Sequence, residues 1–137
     1  MILVDTNVWS ELVRPVPDEK VRAWELAHAD QLWLSTVVIG EFLSGVALMT
    51  EGRRKAVLRE QYEQVLSLYA DRIATFDLPA ARRYADVVAL LERAGCDPGT
   101  ADAQIAATAL TRGMSLATRN VRNFAGLELE LIDPWQQ

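Results

Sequence analysis

The chain of 137 residues has one histidine, His28, and one cysteine, Cys96. One histidine cannot build a zinc site and argues against histidine acid–base catalysis. At the end of its expected helix, His28 reads as a surface or last-turn residue. A lone thiol excludes an internal disulfide and any metal-binding cysteine pattern. No stretch approaches the ~18 continuous apolar residues of a membrane span. The opening residues carry no basic segment, so no secretory signal is expected. A cytoplasmic location follows as the expectation. Positive charge is also short. The net charge is −5 and the pI about 4.9, which argues against a general nucleic-acid binder. An acidic pocket that binds cations remains open. What the chain has is a globular balance: 50% hydrophobic and 24% charged residues. A length of 137 residues suits one domain, 1–137, with a real core.

The first seven residues, Met1-Ile2-Leu3-Val4-Asp5-Thr6-Asn7, organise the rest. Ile2, Leu3 and Val4 form an apolar, β-rich run of the kind buried on both faces of a parallel sheet. Asp5 then stands at the carboxyl end of a strand, where open α/β sheets bind their ligands. The plainer reading of Asp5 is an N-cap for the next helix.

Short helices are expected over 7–13 and 18–29, with Pro15 and Pro17 between them. Leu32-Trp33-Leu34 reads as a strand, closed by Ser35 or Thr36 as a helix cap. The helix over 37–49 carries the stripe Val38, Ile39, Phe42, Leu43, Val46. Gly40 and Gly45 on it suggest close packing against another element. Residues 51–69 form a long amphipathic helix with Ala56, Val57, Tyr62, Val65, Leu66 and Tyr69 inward. Its basic start (Arg53, Arg54, Lys55) reads as a solvated face, with a nucleic-acid or partner contact as the alternative. A strand over 73–76 and a helix from Asp77 to Arg93 follow, with Pro79 in the first turn and Gly95 as the stop. Ala81, Tyr84, Ala85, Val88, Leu90 and Leu91 are placed on its buried side. After a loop over 96–99, Thr100 caps a helix over 101–111 that Gly113 ends. A strand over 115–118, a polar turn over 119–123 and a strand over 129–132 close the chain. Alternating strands and helices imply an α/β fold in three layers, a mostly parallel sheet of four or five short strands with helices on both faces.

Three carboxylates now share one topological place. Asp5 ends the first strand, Glu41 opens the helix after the second, and Asp102 opens the helix before the fourth. Asn120 and Asn123 follow that fourth strand. If the strands are parallel, all of these converge on one rim. Asp102 alone reads as an acid favoured by a helix dipole. Oxygen donors without histidine or cysteine suit a hard cation, Mg²⁺ or Mn²⁺. Close carboxylates repel one another, and a cation would neutralise them. The chemistry implied is phosphodiester hydrolysis by a metal-activated water.

The chain resembles the PIN-domain ribonucleases, and within them the VapC/FitB-like toxins of bacterial toxin–antitoxin pairs. The resemblance rests on Val4-Asp5-Thr6-Asn7, on Ser35-Thr36-Val37-Val38-Ile39-Gly40-Glu41-Phe42, on Gly99-Thr100-Ala101-Asp102-Ala103-Gln104-Ile105-Ala106-Ala107-Thr108-Ala109 and on Ala117-Thr118-Arg119-Asn120-Val121-Arg122-Asn123-Phe124. It spans nearly the whole chain in order. It implies that Asp5, Glu41 and Asp102 are acidic metal ligands. Thr6 and Thr118 match polar residues around that site. Asn120 stands where many members carry a fourth acid, and Asn123 where many have an acid before the phenylalanine. The catalytic set expected is therefore Asp5, Glu41, Asp102, Asn120 and Thr118. An RNA substrate, a small antitoxin partner and a homodimer are implied as well.

For the dimer the sequence adds a motive of its own in Trp9, Trp24, Trp33, Phe42, Leu48 and Met49, because aromatics and methionine are enriched at interfaces. The antitoxin is expected to cover the helices near Trp9 and Glu41 and to reach a basic side chain into the acids. Two alternatives stand beside this reading. A phosphatase of the haloacid-dehalogenase type also ends its first strand in an aspartate. It needs a second aspartate two residues on, where this chain has Asn7, and a downstream lysine, of which the chain holds only Lys20 and Lys55. The other alternative is a PIN-like binding module with a weak or dead site.

Overall fold

The computed structural model describes residues 1–97 and 99–137; Pro98, in the expected loop 96–99, lies outside the described residues. The chain runs β1 (Ile2–Val4), α1 (Thr6–Leu12), α2 (Glu19–His28), β2 (Leu32–Ser35), α3 (Thr36–Ala47), α4 (Arg53–Leu68), β3 (Ile73–Ala74), α5 (Leu78–Arg93), α6 (Thr100–Arg112), β4 (Ser115–Ala117) and β5 (Leu131–Ile132). A short 3-10 turn, Val121–Phe124, joins the last two strands.

The sheet has the order β3-β2-β1-β4-β5, and each neighbouring pair is parallel. Parallel neighbours need long crossovers, and these are right-handed almost without exception. From β1 the chain moves outward through β2 to β3. It then returns over the sheet through α5 and α6 to β4, on the other side of β1. The reversal of direction sends the two sets of crossover helices to opposite faces. It also makes the gap beyond β1 and β4 the switch point, where such sheets open a crevice at their carboxyl ends.

β1 lies at the centre of the sheet, and its three residues are all buried. Leu3 pairs with Trp33 on one side and Leu116 on the other. Its neighbours Leu34, Val38, Ile105 and Leu116 are also wholly buried. Burying a leucine or isoleucine side chain stabilises by about 1.5–3 kcal/mol, so this one layer supplies a large part of the driving force.

Helix ends follow local chemistry. Asp18 caps α2 through bonds from Lys20 N and Val21 N, and Asp77 caps α5 through Ala80 N. Ser35, of the two residues offered, caps α3, its Oγ accepting from Val37 N. Thr36 Oγ1 instead accepts from Phe76 N at 3.1 Å. That side chain takes a donor that a longer β3 would have needed, which shortens the expected strand to two residues. Thr100 does not cap α6: Gly99 holds the cap position, with no side-chain bond. His28 sits in the last turn of α2 and its Nδ1 bonds to Trp24 O.

Several expected faces are turned. On α5 the buried residues are Ala80, Val87 and Leu91, whereas Ala81, Ala85, Val88 and Leu90 are exposed. On α4 Ala56 and Val57 face solvent, while Lys55 is buried and bonds to Ala47 O and Glu51 Oε1. Arg53 and Arg54 remain exposed. Gly40 and Gly45 on α3 are exposed, and a Cβ added at either would meet nothing within 4 Å, so neither marks close packing inside this chain. The aromatic residues offered as a dimer face are mostly core. Trp9, Trp24 and Phe42 are buried, with Trp9 edge-on to Tyr69 and Phe42 stacked on Tyr62; only Leu48 of that set is fully exposed.

Candidate active site

Asp5 leaves the central strand directly into α1. Its two oxygens hold separate jobs. Oδ1 accepts from Thr6 N at 2.8 Å, the capping bond. Oδ2 accepts from Thr118 Oγ1 at 2.8 Å and from Asn7 Nδ2 at 3.2 Å. Capping and site are thus one arrangement, not alternatives. A carboxylate offers about four lone-pair positions. Three donors leave Asp5 room for one more partner, and a cation is the partner a buried anion favours.

Thr118 lies just past β4 and is fully buried. Its hydroxyl donates to Asp5 and accepts from Asn120 N at 3.1 Å and Asn7 Nδ2 at 3.3 Å. Asn7 closes the frame, with its Oδ1 accepting from Arg119 N at 3.2 Å. Asn7 was not expected as a site residue. Its position two residues past Asp5, in the first turn of the capped helix, is the signal that could have found it.

Glu41 reaches the same rim from α3. Thr6 Oγ1 donates to Glu41 Oε1 at 2.5 Å, so the carboxylate is held against the start of α1. Asp102 comes from the first turn of α6 and is half-buried. Burial raises the pKa of Asp5 to about 6. The Thr118 bond lowers it, the charge of Asp102 raises it, Thr6 N lowers it and Glu41 raises it again. Burial likewise raises Asp102, Glu41 adds to the rise, and Asn123 beside it pulls the other way. The mutual repulsion places the three acids in one electrostatic pocket. No ion pair among the described residues engages any of them.

The acids do not form a closed ligand cage. Among the described residues no three histidine, cysteine or acidic side chains are gathered tightly enough to hold an ion as they stand. Hydrogen bonds already commit Asp5 and Glu41, which accounts for the spacing. An open set of oxygen donors still fits magnesium, an ion that keeps several waters and takes one or two carboxylates directly. Asn120 contributes its backbone N–H; its exposed side chain makes no hydrogen bond among the described residues.

A separate groove of about 600 Å³ runs between α1 and α4 and contains none of these acids. Val13, Pro15, Val57, Leu58 and Tyr62 line it together with Arg14, Arg53 and Arg54.

An all-parallel sheet with a carboxylate pocket at its switch point defines a class of α/β folds. Residues 2–128 match the PIN domain family, and the chain belongs to that family. It is 40% identical to toxin FitB of Neisseria gonorrhoeae over 98% of this chain and 99% of that protein. It is also 40% identical to VapC ribonuclease Y4jK of Sinorhizobium fredii, over 99% of both chains. The crystal structure of FitAcB from Neisseria gonorrhoeae superposes with a TM-score of 0.91 at 40% identity, covering all of both chains. The family and fold expected from the sequence are borne out.

Proposed function

We propose that this chain is a metal-dependent endoribonuclease toxin, cutting single-stranded or loop RNA and held silent by a small antitoxin. The observation that carries the reading is the convergence of Asp5, Glu41 and Asp102 on one rim, in a chain that is 40% identical to a VapC ribonuclease and to a FitB toxin over nearly its full length. In this reading Asp5, Glu41 and Asp102 hold one Mg²⁺ or Mn²⁺. Such an ion, when bound, neutralises phosphate charge and makes a water nucleophilic.

The protein side chains have distinct tasks. Thr118 and Asn7 fix Asp5 so that its free lone pair faces the pocket. Thr6 fixes Glu41. Asp102 joins them from the first turn of α6, with Asn123 beside it. No serine, cysteine or lysine of the pocket serves as a covalent nucleophile, and Asn7, an amide, cannot supply the acid that a haloacid-dehalogenase phosphatase needs.

The test is RNA cleavage with added Mg²⁺ or Mn²⁺ and with excess chelator. Asp5→Asn, Glu41→Gln and Asp102→Asn should each cut at least about 100-fold more slowly, the loss that follows from removing one strong electrostatic contact. Cleavage that persists in chelator, or in Asp5→Asn, would sink the mechanism and leave the occluding binding module.

The partner reading uses the groove. Crystal structures of FitAcB and of FitAB bound to a DNA fragment contain relatives of this chain in complex form. The apolar floor between α1 and α4 suits an antitoxin helix, and the basic rim suits acidic flanks. Trp9 is too deeply buried to be touched, so the expected contact shifts to Val13, Val57 and Leu58. For the homodimer, the exposed Leu78, Val88 and Leu90 of α5 replace the aromatic residues as the motive. A particle of only ~15 kDa in light scattering at micromolar concentration would exclude it. The location within the cell stays an expectation; among the described residues no helix is long and apolar enough to cross a membrane.

A further inference from the structure

A polyanion cut at an acidic rim needs cationic contacts of its own. The chain carries a net charge of −5, and three of its acids stand where the phosphate must sit. The recorded ion pairs engage Arg14, Arg22, Lys55 and Arg112. Arg119 is in none of them. No carboxylate among the described residues stands within ion-pairing distance of its guanidinium. That group lies instead over the ring of Trp135, with Cζ 4.9 Å from the ring centre.

The position of Arg119 is fixed from both ends. Its backbone N donates to Asn7 Oδ1, and Asn7 Nδ2 donates to Asp5 Oδ2. One amide side chain therefore ties Arg119 to a pocket carboxylate. Trp135 is partly buried against the core, and its N donates to Asp133 Oδ1 at 3.0 Å. The ring stands just past β5, beside the end of β4, on the same carboxyl rim. A guanidinium stacked on an aromatic face keeps its in-plane N–H donors for a phosphate, which they fit two at a time. The stack also removes part of the freedom the side chain would lose on binding.

We propose that Arg119, braced by Trp135, binds the RNA phosphate next to the one at the carboxylates and so directs the strand across the rim toward β5. The proposal rests on the ribonuclease reading above. Trp135 is a positioning residue that acts through Arg119.

The experiment measures binding of a fluorescein-labelled, mixed-sequence RNA oligonucleotide to the full-length Asp5→Asn protein, with Mg²⁺, over a salt series. Adding Arg119→Ala should weaken binding about tenfold at low salt, the loss of one charged hydrogen-bonded contact. The plot of log K against log salt should flatten by about 0.7, one phosphate contact on a single strand. Arg119→Lys should restore the slope and part of the affinity. Trp135→Phe should bind like the parent, and Trp135→Leu should bind less well with the slope retained. Thermal melting verifies that each variant is folded, and Arg119→Gln serves if the alanine variant is not. Unchanged affinity on losing Arg119 overturns the proposal. So does weaker binding with an unchanged salt slope, which would mean that Arg119 acts through the fold. If the Asp5→Asn parent binds no RNA and the natural chain cuts none, the ribonuclease reading falls and takes this proposal with it.

Discussion

Asp5 is buried and carries two acidic neighbours, and its folded pKa stands near 6 against an ordinary value of 3.8. A carboxyl whose folded pKa is raised contributes its full stability only below about pH 4, where it is protonated in both states. That contribution is lost as the pH rises through about 6. The gap between the two values corresponds to about 3 kcal/mol at ~1.36 kcal/mol per pH unit. Asp5→Asn removes the charge and keeps the shape. It also turns an NH₂ toward Thr118 and Asn7, which costs about 1–2 kcal/mol in misfitted hydrogen bonds. The net expectation is a gain of about 1–2 kcal/mol at pH 7.5 in chelator. For a chain of this length that is a rise of roughly 3–8 °C in melting temperature. At pH 4 the gain should vanish or reverse. The assay is thermal melting of both proteins at matched concentration and at the two pH values. Equal destabilisation of Asp5→Asn at pH 4 and at pH 7.5 would refute the reasoning, because it would mean that the native carboxylate is not penalised by its surroundings.

Four further outcomes follow from the structure. Mg²⁺ at about 100 times its dissociation constant should raise the stability of the natural chain by about 2.7 kcal/mol, with the effect shrinking as the pH falls through 6 and protons compete for Asp5. Titration calorimetry on Asp102→Ala should show weaker metal binding, and equal affinity would remove Asp102 from the site. Thr118→Val should cost about 1–3 kcal/mol by stripping a buried hydroxyl from Asp5 and Asn120. It should also push the acid limb of the pH–rate profile upward, since the Thr118 bond holds the Asp5 pKa down; Thr118→Ser should restore both. Gly126→Ala should destabilise by about 1–3 kcal/mol, because its new Cβ would stand 2.7 Å from Ala94 Cβ. Denaturant unfolding of the Ala94→Gly, Gly126→Ala double variant should recover most of that loss.

Elements whose residues see one environment were readable. Ile2, Leu3 and Val4 are buried on both faces, so their continuous apolar run had one meaning. The acids were readable because strand order puts strand ends and helix starts on one rim whatever the details. The face of α5 was not, nor was the first turn of α4, although Tyr62, Val65, Leu66 and Tyr69 do face inward. α5 is rich in alanine, leucine and valine all round, so period alone does not choose between Ala80 and Ala81, or between Val87 and Val88. Packing against α6 makes that choice. Lys55 misled for a related reason. A lysine buries its stem readily, and whether its ammonium finds Ala47 O is a matter of a loop that no local pattern encodes. Asn7 was missed because its partners Thr118 and Arg119 lie more than a hundred residues along the chain.

β1 has a consequence for synthesis. It lies at the centre of the sheet, yet one of its neighbours is β4, and the bond from Thr118 to Asp5 joins residues 113 apart. Contacts of such separation form late, since loop closure must precede them. A chain growing from its amino end holds Asp5 with no Thr118 to orient it and no β4 to cover β1 until residues 115–118 are made. The pocket around Asp5 stays unfinished until that bond can form. A partial product, stalled or clipped before residue 115, lacks β4 and so leaves one edge of β1 unpaired and the pocket unfinished.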